Sequence, residues 1–199
     1  MDSLDWTLLT SKYLVQDKWL KLRADTCQMP EGKIVEPFYV FEYPTWVNIV
    51  AITNNDEVVL VKQYRHGIQK TVLELPGGSM DLEDTSPMAA AKRELLEESG
   101  YTSNSFVETG IISPNSSTHN NLIYCFLATN VELVDNLKLD VTEQIDVILL
   151  PLEKLVKDID NGILLQAFHI TSLFFALKKL GKVQFIRTYA KDNESSGNS

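Results

Sequence analysis

Residues 93–98, Arg-Glu-Leu-Leu-Glu-Glu, place one guanidinium and three carboxylates on two turns of a helix. Glu94, Glu97 and Glu98 are spaced i, i+3, i+4 and share one helix face. Each i,i+4 like-charge pair on an isolated helix costs about 0.2–0.5 kcal/mol. A divalent cation removes that cost and gains oxygen ligands. Mg²⁺ suits the set, because it takes a few carboxylates and fills its remaining positions with water and phosphate oxygens; Mn²⁺ accepts the same donors. Taken alone, the same run also describes a solvated acidic face, so the surrounding elements must decide.

Ser86-Pro87 opens the helix, with Ser at the N-cap and Pro at the first helical position. Met88, Ala91 and Leu95 give it an apolar stripe, and Gly100 ends it. One face therefore packs on a sheet while the neighbouring acidic face looks into a cleft. Ahead of the helix, Val47–Thr53 and Val58–Tyr64 read as a β-hairpin around Asn54-Asn55-Asp56. Thr71–Leu75 reads as a strand stopped by Pro76-Gly77-Gly78, and the stretch from Trp6 to Tyr43 as short strands with a turn at Met29-Pro30-Glu31-Gly32. After it come strands at Phe106–Ile112, Leu122–Thr129 and Ile145–Leu150, then helices at Pro151–Asp160 and Leu164–Leu180. The order predicts an α/β fold, a mixed sheet with helices on both faces. The expected division is a β-rich segment over 1–45, a main domain over 46–188 and a disordered polar tail over 189–199.

The 199 residues suit one domain with a small appendage, and 44% apolar residues supply a substantial core. A net charge of −9 argues against a general nucleic-acid binder. Cys27 and Cys125 lack metal-ligand spacing and read as reduced structural thiols. With no signal peptide and no apolar run of membrane length, the expectation is a soluble cytoplasmic protein.

Residues 74–101, Glu-Leu-Pro-Gly-Gly through Arg-Glu-Leu-Leu-Glu-Glu-Ser-Gly-Tyr, resemble the Nudix box. Its second half matches the family pattern without exception. The first half departs from it: counting back from Arg93 puts Thr85 at the first box glutamate, whereas counting forward from Gly77 reaches Glu83. The loop Ser79–Asp84 reads as carrying an insertion, with Glu83 or Asp84 standing in for the missing side chain. Val58–Arg65 followed by Leu73-Glu74-Leu75-Pro76 is similar to the ADP-ribose and nucleotide-sugar pyrophosphatase branch, as is the β-rich N-terminal stretch. That branch often carries Ser-Pro-Gly and an acid beyond the box; here Asn115 replaces the glycine and the acid is missing from Ser113–Asn120.

The resemblance implies a Nudix α/β/α sandwich preceded by a small β-rich subdomain that helps form a homodimer and covers a small nucleotide substrate. It implies Mg²⁺-dependent hydrolysis of a nucleoside diphosphate-sugar, such as ADP-ribose or an ADP-sugar, to a nucleoside monophosphate and a sugar phosphate. Glu94 and Glu98 are the expected metal pair, with Glu97 beside them and a backbone carbonyl near Gly77 as a further ligand. Arg93 pairs with a box glutamate and fixes its rotamer. Arg65 grips phosphate oxygens. Glu74 hydrogen-bonds a ribose hydroxyl or base edge, or caps its loop. Trp46 and Tyr39 stack on a nucleobase, or are buried in the core or dimer interface. Glu143, in the loop before the last strand, is the expected general base, with Glu97 as competitor. Alternatives are a nucleoside triphosphate pyrophosphohydrolase and a non-catalytic nucleotide sensor on the same fold. A diphosphate isomerase would need a catalytic cysteine, and Cys125 lies mid-strand.

Overall fold

The computed structural model describes residues 4–17, 20–134 and 144–184. Three strands, β1 (Thr7–Gln16), β2 (Lys21–Gln28) and β3 (Ile34–Glu42), form an antiparallel sheet of their own in the order β1-β2-β3. They are longer than the short strands expected here. At the predicted turn, Gly32 takes φ +88° and its N–H donates to the Met29 carbonyl at 2.8 Å.

The second sheet has eight strands. β4 (Trp46–Thr53), β5 (Glu57–Arg65), β6 (Lys70–Glu74) and β7 (Gly77–Ser79) precede helix α1 (Pro87–Ser99); β8 (Tyr101–Thr102), β9 (Ser105–Ile112), β10 (Ile123–Leu133) and β11 (Asp146–Pro151) follow it. The path runs β11-β5-β4-β10-β8, with β6 on β5, β7 on β4 and β9 on β10. β4 and β10 are parallel and the other pairs antiparallel, so the sheet is mixed. At the hairpin between β4 and β5, Thr53 Oγ1 accepts the N–H groups of Asn55 and Glu57, and Asp56 takes φ 57°.

Both faces of this sheet are covered, which explains why β4 is apolar nearly throughout rather than alternating. Val50, Ile52, Val58 and Leu60 pack on one side against Leu155 of α2 (Leu152–Lys157) and Leu173 and Ala176 of α3 (Ala167–Lys179). Val47, Ile49, Ala51 and Phe126 pack on the other against Ala90, Ala91 and Leu95 of α1. The result is the expected α/β/α sandwich with a β-rich N-terminal region. The helix expected over Pro151–Asp160 divides into α2 and a 3-10 turn at Ile159–Asn161. The last helix starts at Ala167 rather than Leu164, because Leu164 is buried and bridges to Leu73 beside the sheet. No helix among the described residues is long and apolar enough to cross a membrane.

Candidate active site

The acidic helix α1 begins and ends as its sequence dictates. Ser86 Oγ accepts the Ala89 N–H at 3.1 Å, Pro87 opens the first turn, and Gly100 closes the last in the left-handed region at φ 73°. Its apolar stripe is buried under β4 and β10. The carboxylates of Glu94, Glu97 and Glu98 line a cleft of about 830 Å³ with Arg93, Gly77, Gly78 and Asp81.

The segment from Pro76 to Ser79 runs against this helix because Gly77 and Gly78 lack side chains. A Cβ at Gly78 would lie 2.5 Å from Glu94 Oε1, and one at Gly77 would lie 2.3 Å from the Val47 carbonyl oxygen. Gly77 instead donates its N–H to Glu98 Oε2 at 2.8 Å, and Glu98 is only 5% exposed. The close approach that glycine permits thus joins strand β7 to the acidic helix.

Arg93 fans out over four acids. Its Nε lies 3.2 Å from Asp84 Oδ1 and its Nη2 2.8 Å from Asp84 Oδ2; its Nη1 donates to Glu94 Oε1 at 3.0 Å and to Glu97 Oε2 at 2.9 Å, and Asp81 lies 3.5 Å from Nη2. A further Nη2 bond reaches the Ser79 carbonyl at 2.9 Å. The hydrogen bonds with Asp84 hold the guanidinium's pKa well above its ordinary value against burial, with Glu97 and Glu94 adding to the effect. In return Arg93 holds the Asp84 carboxyl below the usual carboxylate range. Of the two candidates for the missing box acid, Asp84 is the one on Arg93. Thr85, at the regular spacing, has no part in that pair.

Among the described residues, no three acid, histidine or cysteine side chains converge on one point. The carboxylates are spread between Arg93 and the Gly77 N–H. The donor set nevertheless fits Mg²⁺, which needs only one or two protein carboxylates and completes its octahedron with water and phosphate oxygens.

Across the cleft, Arg65 at the end of β5 makes a forked contact with Glu74 of β6. Its Nε lies 3.0 Å from both carboxylate oxygens and its Nη2 2.5 Å from Oε2. Gln63 Nε2 adds a bond to Oε2 at 3.1 Å. Glu74 is 1% exposed and lies behind the cleft wall, whereas Arg65 and Gln63 face the cleft. The expected contact of Glu74 with a ribose or base edge is therefore replaced by a brace on Arg65. Burial alone would raise the Glu74 pKa, but the neighbouring His169 ring and the Arg65 guanidinium bonded to it outweigh burial and hold the carboxyl low.

The remaining wall is aromatic. Trp46 lines the cleft with Tyr43 and Phe168, its ring centroid 5.4 Å from Tyr43 and 6.3 Å from Phe168. His119 packs among Phe41, Tyr43 and Trp46. Tyr39 is 48% exposed on β3 and does not line the cleft. Glu143 lies outside the described residues, as does the polar tail. Cys125 is fully buried, and burial pushes its thiol pKa up, which suits a structural group rather than a nucleophile. The sequence reading missed Gln63, Gln166 and His169 at the cleft. Gln63 lies within the Val58–Arg65 stretch on β5, whereas no motif marks Gln166 or His169, whose positions depend on how α3 docks on the sheet.

A model of the NUDIX domain matches residues 43–168, and a model of the nucleoside diphosphate sugar hydrolase N-terminal domain matches residues 6–41. The ADP-ribose pyrophosphatase of Bacillus subtilis (strain 168) is 25% identical over 162 residues, 81% of this chain and 86% of its own length. The methanol dehydrogenase activator of Bacillus methanolicus is 27% identical over 147 residues, 73% of this chain and 78% of its own. A crystal structure of an ADP compounds hydrolase superposes with a TM-score of 0.79 at 23% identity, covering 92% of this chain and 100% of that one, and shares the fold. With the Nudix box on a helix that lines the cleft and a family model spanning most of the chain, this protein belongs to the Nudix family and is a hydrolase of phosphoric anhydrides.

Proposed function

We propose that the chain cleaves the diphosphate of a nucleoside diphosphate-sugar, with ADP-ribose or an ADP-sugar as substrate, to a nucleoside monophosphate and a sugar phosphate. The observation that carries this reading is that one cleft brings together the α1 carboxylates, the Arg65 guanidinium and the Trp46–Tyr43 aromatic wall. A diphosphate needs its charge compensated, a base needs an aromatic surface, and about 830 Å³ accommodates both. The matched N-terminal model and the Bacillus subtilis relative support the same substrate class.

In this reading Glu94 and Glu98, with Glu97 and the Gly77 carbonyl, hold Mg²⁺ or Mn²⁺. Such an ion supplies charge neutralisation on the diphosphate and a more acidic bound water. Arg93 keeps Glu94 and Glu97 in place. Arg65, aimed by Glu74, binds a phosphate oxygen, and Trp46 flanks the base. Glu97 and Glu143 are the two candidates to take the proton of the attacking water. The enzyme works in the cytoplasm, where its unbonded Cys27 and Cys125 stay reduced. It works as a homodimer joined through the N-terminal sheet, whose outer strand β1 is exposed along its whole length and carries Leu8, Leu9, Tyr13 and Leu14.

The test is phosphomonoester release from ADP-ribose, nucleoside diphosphate-sugars, dinucleotides and nucleoside triphosphates, each with Mg²⁺ and with EDTA. Mg²⁺-dependent cleavage of the diphosphate-sugars is expected. Cleavage confined to triphosphates would replace this reading with the triphosphate one, and nucleotide binding without any cleavage would replace it with a sensor.

A further inference from the structure

Beside Glu74 lies a buried imidazole that the reaction described above does not use. His169, in the first turn of α3, is 3% exposed. Its Nδ1 lies 3.1 Å from Asn48 Oδ1. Asn48 Nδ2 donates to Ser172 Oγ at 2.7 Å, and Ser172 Oγ in turn lies 2.8 Å from the Phe168 carbonyl. With the amide in this orientation an oxygen faces Nδ1, and Nδ1 carries the proton. Nε2 of the neutral ring is then a bare lone pair. It is buried, has no hydrogen-bond partner among the described residues, and lies 3.8 Å from Glu74 Oε1.

A lone pair facing a buried carboxylate is a poor contact that one proton would convert into a charge-assisted hydrogen bond. In the substrate-free protein two things oppose that proton. Burial disfavours an imidazolium, and the Arg65 cation already balances Glu74. The elements packed against α3 bring few other charges to the ring. β4 offers Asn48, β10 offers Cys125 with its raised thiol, and Glu108 of β9 bears on Cys125.

We propose that His169 is a positioning residue for the substrate diphosphate: when an anion engages Arg65, Nε2 takes a proton from solvent, bonds to Glu74 Oε1, and holds Glu74 and Arg65 in their forked pair. The geometry allows this without breaking that pair, because Arg65 contacts Glu74 through Nε and Nη2 and makes no hydrogen bond to a described residue through Nη1. The added negative charge raises the proton affinity of the imidazole. By reciprocity the proton strengthens anion binding. The sign follows: His169 starts below the ordinary histidine value and rises on binding. The affinity gain is complete below the substrate-free pKa and is lost as pH rises through the bound one.

This inference rests on the diphosphate-sugar reading. The probe is α,β-methylene ADP-ribose, titrated calorimetrically into Mg²⁺-loaded protein in buffers of different ionisation enthalpy near neutral pH. Net proton uptake is expected in the wild type and its loss in His169→Gln, whose amide stays uncharged yet can still donate to Glu74. In steady state, wild-type KM for ADP-ribose should rise with pH by at most about tenfold per unit across this window. The variant should lack that limb, with its change in KM exceeding its change in kcat. Should the variant fail to fold, ¹⁵N shifts of the wild-type imidazole decide: one bare nitrogen without the analogue and two protonated nitrogens with it. Equal uptake in the variant, or a bare Nε2 in the complex, overturns the proposal. A wild type that cleaves ADP-ribose without linked uptake overturns this inference alone. One that neither binds the analogue nor cleaves ADP-ribose overturns the functional reading with it.

Discussion

Asp84 and Arg93 meet edge to edge, with Nε 3.2 Å from Oδ1 and Nη2 2.8 Å from Oδ2. The pair joins the irregular loop before α1 to the middle of that helix, and the same guanidinium reaches Glu94 and Glu97. Asp84→Ala should therefore act twice. Losing one partner of a part-buried charged hydrogen bond should lower unfolding free energy by about 1–3 kcal/mol, measured by urea denaturation. Freed from Asp84, Arg93 should also hold the two glutamates less well, so the Mg²⁺ concentration for half-maximal activity should rise. Glu83→Ala should change neither; an equal effect there would show that the loop, rather than the pair, matters.

Glu98→Gln tests the metal assignment. The Gln carbonyl can still accept the Gly77 N–H that Glu98 Oε2 accepts now, so the fold should survive. One less like charge on the helix face changes stability by only a few tenths of a kcal/mol. Turnover should fall by orders of magnitude. A Glu98→Gln enzyme that stays active and still responds to Mg²⁺ would remove Glu98 from the ligand set.

Arg65→Lys separates charge from geometry. Lysine keeps the cation but loses the fork that meets both oxygens of Glu74, and only a point charge remains to face a phosphate. KM for ADP-ribose should rise by about tenfold, the equivalent of roughly 1.4 kcal/mol, with a smaller change in kcat. An unchanged KM would place Arg65 in a structural role only.

Glu74 predicts the acid limb of stability. Its folded pKa lies below the ordinary carboxylate value, so the unfolded chain binds the proton more readily. The stabilisation is complete above the unfolded carboxylate pKa and is lost as pH falls through the folded one. Denaturation midpoints of the wild type should fall with pH across that window. Those of Glu74→Gln should fall less, although its stability at neutral pH is lower because Arg65 loses its charged partner.

The N-terminal sheet predicts the oligomeric state. β1 contacts β2 on one edge and exposes Leu9 and Leu14, a pattern that a second copy would cover. Light scattering at micromolar concentration should give a dimer, and Leu9→Asp with Leu14→Asp should give a monomer.

Local signals sufficed for much of this protein. The cap at Ser86, the stop at Gly100, the hairpin around Asn55 and the i, i+3, i+4 carboxylates depend on neighbours within a few residues, and periodicity and turn chemistry report such neighbours directly. The resemblance of residues 74–101 to the Nudix box rests on the same short spacings. What the chain order could not reveal is which groups meet across the sheet. Whether Glu83 or Asp84 reaches Arg93 depended on the path of a loop with no period. The place of Glu74 behind Arg65 depended on the antiparallel register that sets Arg65 against Lys70 and Val61 against Glu74. Asn48 and His169 are separated by 121 residues, and they touch because α3 docks its buried face on β4. Their contact arises from packing, for which sequence spacing carries no signal.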